Sequence, residues 1–415
     1  MPERKNDNGC THDHGFTRRG LLNTGLAAGA GLVAPPLMFA PSAMAQAKRG
    51  PDGRILVVLE LAGGTDGLNT IVPYADDAYY RLRPQIGIKP ARLRKLDDHF
   101  GLNAGMVGME KLFKEGTLAV VHGCGYADPS FSHFTSMAYW HTAAPNSGEQ
   151  YGWVGRLADA MAPSAPANFL INIGANQSLA VRAHKHVPVV FNNPDNFQRE
   201  AFFEEKEALA ALSDPGKVTN PSRRYLLDIA KSANDASAAV RKAWAGYRSP
   251  IDYGIADLGL RRVAAMISAG LPARLYYTSY ANNAFDTHVV QNDLHGRLLT
   301  YTSDAVSGFM QDMERLGRAD DVSLMIFSEF GWRAPENTSL GTDHGAANVM
   351  FVAGKKVKGG HYGDKPSLTK LDAGDNLVFT TDFRRVYATM VEGWLGQKAT
   401  PDLLNGTFKP FEMFA

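Results

Sequence analysis

The stretch Asp321–Gly345, DVSLMIFSEFGWRAPENTSLGTDHG, decides how the rest of the chain is read. Its short apolar run, Val322–Phe327, breaks into Ser328-Glu329-Phe330-Gly331. That length, bounded by turn residues, predicts a strand buried on both faces. An acidic residue just past the C-terminal end of such a strand sits where open α/β sheets place their chemistry. The polar loop that follows ends in Asp343-His344-Gly345. Glu329, Asp343 and His344 together are a sensible donor set for a divalent metal. Alone, the same residues also make an ordinary turn, because Asp and Gly favour turns. The decision therefore rests on what the other strand ends carry.

Three other strand ends carry matching groups. Ile55–Leu61 is a second continuous apolar run, and Glu60, Gly63-Gly64, Asp66 and Asn69 cluster at its end. No Lys-Ser/Thr pair follows the glycines, so a phosphate-cradling nucleotide loop is set aside. Thr117–His122 is a third strand. Beyond it, Asp128 or Ser130 caps a helix with Pro129 in its first turn. Ser130, Ser132 and His133 lie at that helix start, where the positive end of the helix dipole suits an anion and a serine can act as nucleophile. The plainer alternative is that the serines only cap and His133 packs inside. Ala273–Thr278 is a fourth strand, and its exit carries Asp286-Thr287-His288. Two residues apart in extended chain, Asp286 and His288 point the same way.

The rest fills in the layers. Helices are expected at Gly105–Glu115, Gly152–Met161 and about 292–316, and at Phe383–Leu395 behind Thr381-Asp382. Strands are expected at Phe169–Ile173 and Asn348–Ala353. Val187–Phe191 is expected as an edge strand, since Pro188 cannot donate to a central ladder. Residues 197–212, 221–247 and 255–269 have helical period and read as a helical insertion over about 195–270. Tyr74–Asn103 shows no pattern, and Gly359–Gly363 reads as a turn-rich loop around His361. His184 and His186 lie in a polar loop, as ligands or simply as soluble surface.

The N-terminus carries an address. Arg18-Arg19 precede an Ala/Gly-rich run, and Pro41–Ala47 supplies small residues of a cleavage site. This resembles a twin-arginine signal over residues 1–47, which makes the translocase a transient partner and the periplasm or the exterior the destination. The weak h-region, broken by Pro35-Pro36, is not expected to stay as a membrane anchor. The mature segment, 48–415, keeps only Cys124, so it has no internal disulfide. Net charge is +1, with 45% hydrophobic and 20% charged residues. No basic block points to nucleic acid.

Strands alternating with helices predict an α/β fold, a largely parallel sheet flanked by helices on both faces. Four strand ends would then open on one edge. The ordered motifs LVVLELAGGTDGLNTIVP (Leu56–Pro73), Ser132-His133-Phe134, Phe285–His288, Ser328–Gly331 and Gly341–Gly345 resemble the DUF1501 family of exported bacterial proteins. That family is similar in fold to the alkaline phosphatase, sulfatase and cofactor-independent phosphoglycerate mutase superfamily. The resemblance implies metal-dependent hydrolysis of phosphate or sulfate esters, with one or two ions of zinc, manganese or calcium. The substrate implied is an anionic ester, cell-surface and polysaccharide-derived esters included.

Carried over residue by residue, the resemblance implies a first ion on Asp286, His288 and His344, and a second on Glu329, Asp343 and Asp66. Ser132 is implied as nucleophile, with His133 or Ser130 as alternatives for that position. In one register Asp343-His344 form the superfamily's Asp-His pair, with His361 as the later histidine. In the other, preferred here, Glu329 stands for the Asp and Phe330 for a ligand His, which weakens the second site. The rival expectation is a non-catalytic periplasmic binding or assembly module on the same fold.

Overall fold

The computed structural model describes residues 53–163, 168–197, 220, 224 and 236–415. The expected signal segment, 1–47, lies outside them, as does most of the expected helical stretches 197–212 and 221–247; residues 236–246 are helical. No helix of the described residues is long and apolar enough to cross a membrane.

In chain order the strands are β1 (Ile55–Leu61), β2 (Ile71–Val72), β3 (Leu93–Lys95), β4 (Gly101–Asn103), β5 (Leu118–Gly125), β6 (Leu170–Ile173) and β7 (Val189–Phe191). They continue with β8 (Leu275–Tyr280), β9 (Val322–Phe327), β10 (Gly331–Trp332), β11 (His344–Gly345), β12 (Asn348–Ala353), β13 (Gly360–Tyr362) and β14 (Thr381–Asp382). One large sheet runs β13-β5-β12-β9-β1-β8-β6-β7, with β14 also alongside β5. Within it only β12 is antiparallel to its neighbours, β5 and β9. The largely parallel α/β fold is thus the one the alternation predicts, and β7 is the edge strand that Pro188 requires.

The side-chain period of two splits β1 between two core layers. Ile55, Val57, Leu59 and Leu61 face one layer, with the helices Val107–Lys114, Leu260–Ser268 and Gln291–Arg315. Leu56 and Val58 face the other, with the helices His133–Thr142, Trp153–Met161 and Arg384–Ala388. Some elements differ from expectation. The last helix is Arg384–Ala388 followed by a π-helical turn, Thr389–Trp394. Gly359–Gly363 contributes β13, whose three half-buried residues offer no alternation to read. Tyr74–Asn103 forms the helix Asp77–Leu82 and, with Ile71–Val72, a small sheet, β2-β4-β3.

Strand register positions the site. Glu60 on β1 pairs with Ser279 on β8 and Phe327 on β9, so the loops after all three strands leave at one level. Because β12 runs the other way, the loop before it, with Asp343 and His344, reaches the same edge. β5 is antiparallel to β12 as well, so it delivers the helix His133–Thr142 there too. At Gly63 (φ +116°) a Cβ would sit 2.5 Å from the Asp286 amide nitrogen. The loops after β1 and β8 can touch only because this residue is glycine.

Candidate metal centre

Three histidines and one aspartate meet at this edge. His133 Nδ1 lies 2.9 Å from Glu329 Oε1, His344 Nδ1 2.9 Å from the Phe131 carbonyl, and His288 Nδ1 3.0 Å from the Thr342 carbonyl. A carboxylate or carbonyl oxygen can only accept, so each Nδ1 is assigned the proton. In the neutral rings that leaves three Nε2 lone pairs, and all three turn toward Asp286. His288 Nε2 is 2.9 Å and His344 Nε2 3.0 Å from Asp286 Oδ1; His133 Nε2 is 3.4 Å from Oδ2. The His288 and His344 Nε2 atoms are themselves 3.1 Å apart. Donor atoms of His133, Asp286 and His344 all lie within 4.8 Å of one another. His133 Nε2 is a buried nitrogen with no hydrogen-bond partner among the described residues.

Lone pairs facing a carboxylate repel unless positive charge sits among them. The residues therefore fit a divalent cation, and the tethered Nδ1 atoms are the outer contacts that orient metal-binding histidines. Without a metal, the charge has to come from protons. The hydrogen bond to Glu329, against the opposing effect of burial, raises the His133 pKa, and the charges of Glu329 and Asp286 add to it. Burial would raise the Asp286 carboxyl, but the His344 hydrogen bond and the charges of His133, His288 and His344 hold it below its ordinary value. Nitrogen-rich donors favour zinc or a similar transition ion over calcium, which takes oxygen ligands.

The remaining expected residues fall around this centre rather than in it. Glu329 is fully buried and stands behind His133; its Oε1 also accepts from the Gly63 amide at 2.8 Å. Asp343 stands outside His288, 3.6 Å from its Nδ1, and accepts from Asn337 at 3.2 Å. Asp66, expected as a ligand, is corrected: Oδ2 is taken by Arg83 and Gln291, both at 2.6 Å, and Oδ1 caps Leu68 and Asn69. Ser132 is the exposed N-cap of its helix, and its hydroxyl makes no hydrogen bond to a described residue. His133, counted with the nucleophile, faces Asp286 alongside His288 and His344. His361 is elsewhere, 2.8 Å from His122 and 3.2 Å from Asp97. His186 is tied to Asp159 at 3.0 Å, and His184 stacks on Tyr151.

Phe330 and Trp332 floor the site. Phe330 packs on His133 and His344, and Trp332 on His288, with ring centroids 4.5–5.0 Å apart. Two tethers, the carbonyls of Phe131 and Thr342, were beyond sequence reading, because any residue supplies a carbonyl. Arg83 and Gln291, which claim Asp66, gave no signal either.

A fold of this kind with these ordered motifs defines a family. The model for "Protein of unknown function (DUF1501)" matches residues 54–391, and the chain belongs to that family. No curated protein matches the sequence. Among solved structures, the chain is similar to an alkaline phosphatase superfamily protein from Vibrio parahaemolyticus, at 12% identity and a TM-score of 0.41, covering 86% of this chain and 70% of that one. It is also similar to the PsFucS1 sulfatase from Pseudoalteromonas sp., at 11% identity and a TM-score of 0.37, covering 87% and 71%. The lipoteichoic acid synthase LtaP from Listeria monocytogenes is a third, at 10% identity and a TM-score of 0.38, covering 80% and 75%. None reaches a TM-score of 0.5, so the reading of the site rests on this chain's own residues.

Proposed function

We propose that the chain is an exported hydrolase of phosphate or sulfate esters that depends on one divalent ion, zinc in the first place. The observation behind this reading is the convergence of His133, Asp286 and His344, each histidine held with its Nε2 lone pair inward. These three would be the ligands, an open-site set of three protein donors. The bound ion would polarise an ester oxygen and supply the charge that offsets the developing anion.

The other groups have separate tasks. Glu329 fixes the tautomer of His133, and the Phe131 and Thr342 carbonyls do the same for His344 and His288. His288, the most exposed of the three rings, has its Nε2 turned to the same point and would take the proton of an attacking water. Phe330 and Trp332 exclude water from beneath. Ser132 bonds to nothing in the cluster, so the Ser132→Ala variant is expected to keep its turnover; loss of turnover would return the nucleophile to Ser132.

The test is metal content by mass spectrometry on protein purified without chelators, with turnover of aryl phosphate and aryl sulfate. About one equivalent of zinc is expected, lost in His344→Ala and retained in His288→Ala while turnover falls. A well-folded protein that takes up no metal would overturn the hydrolase reading in favour of a non-catalytic binding module. Export by the twin-arginine route is proposed with it; Arg18→Lys together with Arg19→Lys should hold the protein in the cytoplasm, and unchanged export would refute it.

A further inference from the structure

Of the nine large apolar side chains left exposed among the described residues, five lie in the segments that carry the candidate metal centre. Phe134, which follows His133, is 90% exposed; Val289 and Val290, which follow His288, are 61% and 57% exposed. Phe131 and Leu340 are exposed as well. These residues are built into the site's own frame. The carbonyl of Phe131 holds His344. The amides of Val290 and Gln291 donate to the carbonyls of Ser339 and Leu340, both at 2.9 Å, which binds the loop after His288 to the loop before Asp343. A Cβ on Gly341 would lie 2.1 Å from the His288 carbonyl oxygen, so these two loops are in direct contact.

Two of these residues hold a backbone conformation that their side chains disfavour. Val290 has φ +45° and Leu340 φ +59°. A β-branched residue in the left-handed region is a genuine outlier, and such outliers gather at ligand-binding sites. Here the conformation turns a valine and a leucine outward at the mouth of a polar centre, where solvent gives them nothing. Exposed apolar clusters rimmed by polar groups mark binding surfaces.

We infer that the ester taken by this site carries an apolar group, so that the substrate is an aryl or long-chain alkyl phosphate or sulfate. This rests on the ester-hydrolase reading above. The anionic head meets the cation between His133, Asp286 and His344, and the apolar part covers Phe131, Phe134, Val289, Val290 and Leu340. A sugar or nucleotide ester would leave those side chains in water. The apolar ester could arrive dispersed or from a lipid surface, and the two sources are separable.

The experiment is calorimetric binding of methylphosphonate and octylphosphonate to the zinc-loaded protein. These carry one head group with two tails and are not hydrolysed, so the result does not depend on turnover. Octylphosphonate is expected to bind about ten-fold tighter or more, as burial of the tail dictates. The preference should shrink to about three-fold or less in Phe134→Ser and in Val290→Gly, each about a loss of one rim side chain. Val290→Gly suits the positive φ, so it removes the side chain without threatening the fold. Equal affinities, no binding of either ligand, or a preference untouched in both variants would overturn the inference. So would binding to phosphatidic acid vesicles with no preference for the dispersed octyl ligand, since the rim would then be a membrane contact. A tail preference without any ester turnover would keep this inference and reject hydrolysis; turnover without a tail preference would do the reverse.

Discussion

Asp66 and Asp286 leave neighbouring parallel strands at the same sheet edge, and the fold provides for them in opposite ways. Asp66 is fully buried, and all its acceptor capacity is used: Arg83 and Gln291 on one oxygen, two backbone amides on the other. Arg83 continues the network to Asn69 and to the carbonyls of Arg333 and Ala334. Asp286 is partly exposed, and what faces it are three imidazole nitrogens that, in the neutral rings their tethers favour, have no proton to give. Glu60, on β1, falls with Asp66: it is buried between His141, at 2.9 Å, and Tyr277, at 2.6 Å. The contrast separates carboxylates that the fold completes from one that it leaves for an added charge.

The largest effect that tests this contrast is on the buried pair. Arg83→Met removes the partner of a charge that has no route to water, and breaking such a pair costs about 3–5 kcal/mol. Urea unfolding should show that loss, while the zinc bound per folded molecule stays at the wild-type level. A variant of normal stability would mean that Asp66 is not held by Arg83. A stable variant that loses its metal would put Asp66 back among the ligands.

Glu60→Gln sharpens the same point with a smaller effect. It leaves His141 and Tyr277 one charged acceptor short, for about 1–3 kcal/mol. It also predicts a pH signature. Burial would raise the Glu60 carboxyl, but the charge and hydrogen bond of His141 and the hydrogen bonds of Tyr277 and Ser279 outweigh it, so the folded-state pKa lies below the ordinary 4.5. Asp66 is likewise held below 3.8, by Arg83, His295 and Gln291 against burial. The unfolded chain therefore binds these protons first as acid is added. Both groups contribute stability that is present above those ordinary values and lost as pH falls below them. Stability measured from pH 6 downward should fall more gently below pH ~4.5 in Glu60→Gln than in wild type. An identical acid limb would show that Glu60 contributes nothing there.

How far this was legible in the sequence follows from what each level depends on. The sheet was readable because Ile55–Leu61 and Val322–Phe327 are continuous apolar runs, and burial on both faces of a parallel sheet leaves that trace. Asp286, His288 and His344 were readable as ligand types at strand ends. Their partners were not: whether a carboxylate meets an arginine or three imidazoles is decided by which loops touch. Arg83 lies in the patternless stretch before β3, so nothing in its neighbourhood marked it as the claimant of Asp66. The reversal of β12, which brings His344 to the edge from the front of a strand rather than its end, is likewise a tertiary fact. His133 could be read as nucleophile or packing residue, and only the Glu329 contact assigns its tautomer.

The smallest effects lie inside the centre, between Glu329 and Asp343, which the sequence placed together on a second ion. The structure gives them different surroundings. Glu329→Gln keeps a group that can bond to His133 Nδ1 but removes the charge behind it. Loss of such an outer partner typically weakens metal affinity about 10–100-fold. Asp343 is half exposed and touches His288 only from outside, at 3.6 Å. Water and salt screen a contact of that kind, so Asp343→Asn should change zinc affinity by less than about five-fold. Competition with a chromophoric chelator measures both variants on one scale. If Asp343→Asn proved the more damaging of the two, the single-ion centre would be wrong, and a second ion held by Asp343 would have to be restored.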